Sequence, residues 1–116
     1  MPELPEVETV KEKLKPRLIN RQILDVEVRW NNIVVDINID DFKTKLKGQV
    51  FTNINRRGKW LVFELTNYSL LVHLRMEGKF FFKEKNEEMN KHEHIIFKLD
   101  DIDLRYHDTR KFGKMY

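Results

Sequence analysis

A proline at position 2 followed at once by Glu3 can do chemistry that few chain starts can. The initiator methionine is normally removed before a small second residue, which would leave Pro2 with a free secondary amine. That amine is a nucleophile, and its pKa lies nearer neutrality than a lysine's. Attack on an aldehyde-like carbon gives an iminium that is cationic without further protonation, an electron sink that makes elimination along a sugar feasible. Glu3 and Glu6 stand close by in the chain. Two carboxylates beside an amine can orient it, shuttle its proton and protonate a leaving oxygen, provided one is partly buried with a raised pKa. The plainer alternative makes Pro2 the start of an N-terminal arm, and Glu6 with Glu8 a pair of anions at the positive end of a helix dipole. It explains Glu6 and Glu8 well but Pro2-Glu3 poorly.

Further along, Arg56-Arg57-Gly58-Lys59-Trp60 sets Lys59 in a basic cluster on a turn, suited to gripping phosphate. A solvated hairpin end is the alternative. His92, His94 and His107 raise the question of a metal, but His-x-His alone is weak support for one. The chain has no cysteine, which excludes a disulfide scaffold, a thiolate nucleophile and a cysteine-ligated zinc within it.

These residues must be positioned by one domain, because 116 residues is the size of a single core. With 41% hydrophobic and 35% charged residues the chain can build a core under a heavily solvated surface. Lys and Arg number 22 against 19 Asp and Glu, so the net charge of +3 does not by itself imply a polyanion partner. No apolar run reaches the roughly 18 residues of a membrane span, and the acidic, Pro-rich start is unlike a secretory signal. A cytoplasmic protein with no membrane association is expected. Val7, Val10, Leu14 and Leu18 at near-helical spacing predict a helix from Pro5 to Leu18, with Pro16 bending its last turn or ending it early. Beyond Asn20 short β-branched and aromatic runs predict strands near 23–30, 33–37, 50–56, 60–65, 69–74, 79–83, 94–99 and 103–106. A short helix is expected over Asp40–Leu46, capped by Asp40 or Asp41 and closed by Gly48. Residues 84–91, charged and amide-rich, read as a mobile loop. The fold class is therefore mainly β with flanking helices, a two-sheet antiparallel sandwich of about eight strands.

The run PELPEVETV resembles the N-terminus of bacterial formamidopyrimidine-DNA glycosylases, which excise oxidised purines from DNA. The resemblance continues through Arg56 to Trp60, His73-Leu74-Arg75-Met76-Glu77-Gly78, Lys91-His92-Glu93-His94, and Arg105 to Gly113. It implies that Pro2 attacks the sugar C1′ and displaces the damaged base, with Glu3 as the adjacent catalytic carboxylate and Glu6 a second acid near the sugar. It implies a backbone phosphate contact for Lys59, and phosphate or backbone contacts for His73 and His92. A flipped base leaves a gap that wedged side chains must fill. By resemblance Met76, Arg110 and Phe112 do this, Arg110 facing the orphaned cytosine, while Glu77 approaches the damaged base. The alternative places Met76 and Phe112 in the core, where Leu74, Phe80 and Phe82 are assigned. Because the family has no metal at the histidines, that possibility is rejected and no cofactor is expected in this chain.

The resemblance also implies what is missing. Full-length members continue into a helix–two-turn–helix domain and a zinc finger with four cysteines, so the one structural zinc of the family would lie outside residues 1–116. The expectation is the N-terminal catalytic domain of a glycosylase and AP lyase, acting as a monomer on damaged double-stranded DNA, truncated here and weak or inactive alone. Endonuclease VIII, a relative that prefers oxidised pyrimidines and has Gly where Leu4 stands, is the enzymatic alternative. A catalytically silent DNA-binding or structural domain is the other.

Overall fold

The computed structural model describes residues 4–74, 78–85, 87–108 and 114–115, with the side chains of residues 4–6, 31 and 114 outside that description. Helix α1 (Leu4–Leu18) comes first, and Val7, Leu14 and Leu18 are buried as the spacing predicts. Pro16 does not end it early. The ring lies on the exposed side, and the ladder continues past it with Ile19 N–H donating to the Lys15 carbonyl at 3.2 Å. Only one bond is lost, close to the end where carbonyls lack partners anyway.

Two four-stranded antiparallel sheets follow. One has the order β1 (Asp25–Val28), β6 (Glu93–Lys98), β7 (Asp103–His107), β5 (Lys79–Lys83). The other runs β2 (Phe51–Arg57), β3 (Trp60–Leu65), β4 (Ser69–His73), β8 (Lys114–Met115). They face each other across one apolar core. Phe51 of β2 meets Phe97 of β6 with ring centroids 6.5 Å apart, and Phe63 of β3 meets Phe80 of β5 at 5.4 Å. Leu74 is buried, while Phe80 and Phe82 are only partly so and pack against the core edge. In β6, Glu93 to Phe97 are buried without alternation, because the core covers one face and a loop the other.

Two expectations need correcting. Residues 33–37 are not a strand: Asn31–Ile33 forms a 3-10 turn that buries Ile33, and Val34 makes a single bridge to Met115. The eighth strand is instead β8, two residues long. Helix α2 (Ile39–Leu46) is capped by Asn38, whose side-chain oxygen accepts from Asp41 N–H at 2.8 Å, and not by Asp40 or Asp41. Asp41 answers by accepting from the Asn38 amide at 3.0 Å, so cap and first turn hold each other. Past this helix Gly48 sits at φ +88°, the left-handed conformation that suits glycine.

Candidate functional site

One arginine ties the N-terminal helix to the turn that carries Lys59. Arg56, on β2, donates from Nε to Glu8 of α1 at 2.9 Å and from a terminal nitrogen to the Gly58 carbonyl at 2.9 Å. Gly58 and Lys59 form the β2–β3 turn, with Gly58 at φ +58°. Glu8 also meets Lys11 at 2.6 Å, and the two cations, Lys11 foremost, lower its carboxyl from 4.5 to about 2. Leu4, the first helical residue, therefore lies four positions before an anchored carboxylate, at the same corner as the predicted phosphate lysine. Pro2 and Glu3 lie outside the described residues, and of Glu6 only the helical backbone is described.

His73 ends β4 directly across from Trp60, and the two rings meet nearly edge to face with centroids 4.9 Å apart. On its other side His73 pairs with Lys114. This short β4–β8 ladder sets Lys114 and Met115 beside β4. Met76, Glu77, Arg110 and Phe112 fall within 75–77 and 109–113, outside the described residues. Their flanks are firmly set. Gly78 N–H donates to the Leu74 carbonyl at 3.0 Å. A Cβ at Gly78 would collide with the Tyr106 hydroxyl and the Leu74 carbonyl, so glycine is required by close approach. Tyr106 in turn donates to Asp108 at 3.1 Å, and its burial beside that carboxylate pushes the phenol pKa strongly up. Asp108 N–H donates to the His92 carbonyl, and its own carbonyl lies 2.8 Å from His94 Nε2. Gly78 therefore lies against the Tyr106 hydroxyl, beside the hydrogen-bonded group of Tyr106, Asp108, His92 and His94.

His92 is placed by the loop over residues 84–92, which is far better tied than a mobile loop would be. Arg105 of β7, fully buried, donates to the carbonyls of Glu84, Glu87 and Glu88 at 3.2, 3.0 and 3.3 Å. It also meets the carboxylates of Glu93 at 3.3 Å and Asp103 at 3.1 Å. Burial alone would raise Glu93, but the Asn90 N–H, Lys83 and Arg105 outweigh it and hold the carboxyl below its usual range. Asn90 relays the clamp outward, its side-chain oxygen accepting from His92 N–H at 2.8 Å. Sequence reasoning missed this network. Its one signal is the charged alternation Asp103-Leu104-Arg105-Tyr106 in a strand whose charged members are fully covered.

Among the described residues no group of three or more side chains could hold a metal ion, and the chain has no cysteine. A zinc site of the kind the resemblance attributes to longer relatives finds no donor set there. No described helix is long and apolar enough to cross a membrane.

A two-sheet antiparallel sandwich with a leading helix and a Lys-bearing hairpin beside it defines the class of molecule. Residues 1–115 match the family model for the formamidopyrimidine-DNA glycosylase N-terminal domain, and the chain belongs to that family. It is 45% identical to the Enterococcus faecalis formamidopyrimidine-DNA glycosylase over 116 residues, 99% of this chain and 41% of that protein. The Bacillus subtilis protein of the same name is 46% identical over 118 residues, covering 100% of this chain and 43% of the relative. Lactococcus lactis Fpg (MutM) in complex with DNA containing Fapy-dG superposes with a TM-score of 0.94 at 38% identity, over 97% of this chain and 43% of that one. Its complex with oxidised-pyrimidine DNA gives 0.95 at 39% identity, over 98% and 43%. The chain thus spans less than half the length of the relatives it matches.

Proposed function

We propose that this chain is the catalytic domain of a base-excision DNA glycosylase and AP lyase that removes oxidised purines. The observation that carries the reading is the Glu8–Arg56–Gly58 linkage, which holds the start of α1 and the Lys59 turn at one corner. A nucleophile just ahead of α1 and a cation for the neighbouring phosphate need that corner. In this reading the Pro2 nitrogen forms a bond to C1′ while the bond from C1′ to the damaged base breaks. The nitrogen sheds its proton, the C1′–O4′ bond breaks as the ring oxygen takes up a proton, and the open-chain iminium so formed acidifies the adjacent carbon, from which a proton is lost as elimination expels the 3′ phosphate. Glu3 protonates the departing sugar oxygen, Glu6 supports it as a second acid, and Lys59 with His73 and His92 grips the backbone. Met76, Arg110 and Phe112 fill the vacated stack, and Glu77 approaches the base. Further DNA-gripping modules, one of them holding zinc, belong to the length that the relatives have beyond this match.

A duplex with a single 8-oxoguanine opposite cytosine tests the reading. Free base and a strand nick are expected, slow for this chain alone and faster when it is fused to the remaining length of a relative. Release of an oxidised pyrimidine but no oxidised purine by that fusion would favour the endonuclease VIII alternative. Release of neither, with folding intact, would leave a silent DNA-binding domain.

A further inference from the structure

Of the four histidines, two are engaged inside the fold: His94 bonds the Asp108 carbonyl and His73 is packed on Trp60. The other two face each other at its surface. The rings of His92 and His107 lie 5.5 Å apart between centroids, tilted by 70°, and both are partly exposed. Phe81, 41% exposed, closes the far side of His107 with its ring centroid 5.9 Å away. The pair is rigidly held, since Asp108 N–H bonds the His92 carbonyl at 3.0 Å and His107 lies across from Glu93 in the β6–β7 ladder. Among the described residues neither ring takes a hydrogen bond through its nitrogens.

The charges around them select the ligand. Lys79 stands across from His107 in the β5–β7 ladder, and Lys91 precedes His92; both are exposed and neither forms an ion pair among the described residues. The acids nearby are already committed. Glu93 is held by Lys83 and Arg105, and Asp103 by Arg105. An anion is therefore favoured over a cation. Two imidazoles this close suit an oxyanion with several acceptor oxygens, each ring donating one bond.

We propose that His92 and His107 form a two-imidazole seat for a phosphodiester of the DNA backbone, and that filling this seat draws a proton on to the pair. The proposal rests on the DNA-repair reading and adds His107 as a contact residue that the resemblance does not supply. Burial, then the neighbouring His92, lowers the His107 pKa in the free protein; Lys83 and His94 act the same way, and only Glu93 opposes them. Lys79, Lys91 and the neutralised Arg105 complete the charges on the packed elements. The rings touch, so an anion would lie across their outer nitrogen edges and not between them; His107 is neutral near pH 7, and an anion at those edges stabilises the charged form. Binding takes up a proton, so affinity rises as pH falls.

The test is anisotropy of a short labelled duplex carrying a tetrahydrofuran abasic analogue, at constant ionic strength and about pH 7.5 and about pH 5.5. Affinity is expected to be about tenfold higher at the lower pH, since one proton taken up over part of this two-unit interval gives a gain below the ceiling of about a hundredfold. His107→Gln should reduce that ratio to about twofold or less. His92→Gln, on the loop, serves the same purpose if His107→Gln does not fold, as judged by its amide spectrum. Nuclear magnetic resonance should show the His107 midpoint moving up when the duplex is added. Binding that is equal at both pH values, or a ratio unchanged in His107→Gln, overturns the seat while leaving the DNA reading intact. Absence of binding at either pH in low salt overturns both.

Discussion

Glu8 illustrates how one side chain serves more than its own helix. Its place in the first turns suggested only a favourable interaction with the helix dipole, and nothing local in the sequence points to Arg56, 48 positions away. The contact exists because α1 packs against β2, so the pairing was invisible until the tertiary fold supplied it. The carboxyl is depressed from 4.5 to about 2, with Lys11 the larger cause and Arg56 the next. A depressed folded value stabilises the native state above the unfolded pKa, and that contribution fades as pH falls from about 4.5 through about 2. Arg56→Met should move the Glu8 midpoint part of the way back, as followed by carboxyl carbon resonances, and should soften the acid limb of the stability curve. An unmoved midpoint would mean that Lys11 alone sets it. Lys59 was legible as a candidate because a basic cluster on a turn suits phosphate, whereas His73 came only through the resemblance; that Trp60 would pack its ring on His73 follows only from the β3–β4 register.

Among the elements, α1 and strands β2 to β7 were readable because apolar spacing and turn residues agree with the fold. Two failures have physical causes. The stretch 33–37 has the composition of a strand, yet Ile33 is buried by a 3-10 turn and the sheet edge it would have joined is taken by β8. Strand β8 has two residues, too few for any periodicity. The loop at 84–92 reads as solvated because its own residues are polar; what holds it is Arg105, about twenty positions downstream in β7. Arg105→Met should therefore cost about 3 to 5 kcal/mol in denaturant unfolding, since it strands the buried Glu93 and Asp103 carboxylates. It should also speed amide exchange in residues 87–92, which a plain core substitution such as Ile54→Val would do far less. Gly78→Ala should cost about 1 to 3 kcal/mol, because its methyl must displace the Tyr106 hydroxyl or the Leu74 backbone. A thermal midpoint equal to wild type would show that the contact of Gly78 with Tyr106 and Leu74 yields easily.

For the whole molecule, the balance of grip and chemistry is the issue. With a net charge of only +3, the proposed function gives the chain few phosphate contacts, chiefly Lys59, His73 and His92, and each such contact would contribute about 0.9 to the salt slope. The logarithm of its DNA affinity should fall with the logarithm of salt by a slope of about 3 or less, and Lys59→Ala should remove about one unit of it. A slope near 10 would reveal a large basic surface elsewhere. Chemistry needs less grip than affinity does, because a covalent imine is retained once reduced. The most direct measurement is borohydride trapping of the chain on DNA with an abasic site, read by intact mass together with the mass of the free protein. Loss of Met1 and a trapped adduct that disappears in Pro2→Gly is the predicted result. Retained Met1, or trapping at an unchanged rate in Pro2→Gly, would contradict the assignment of the N-terminal amine as the nucleophile.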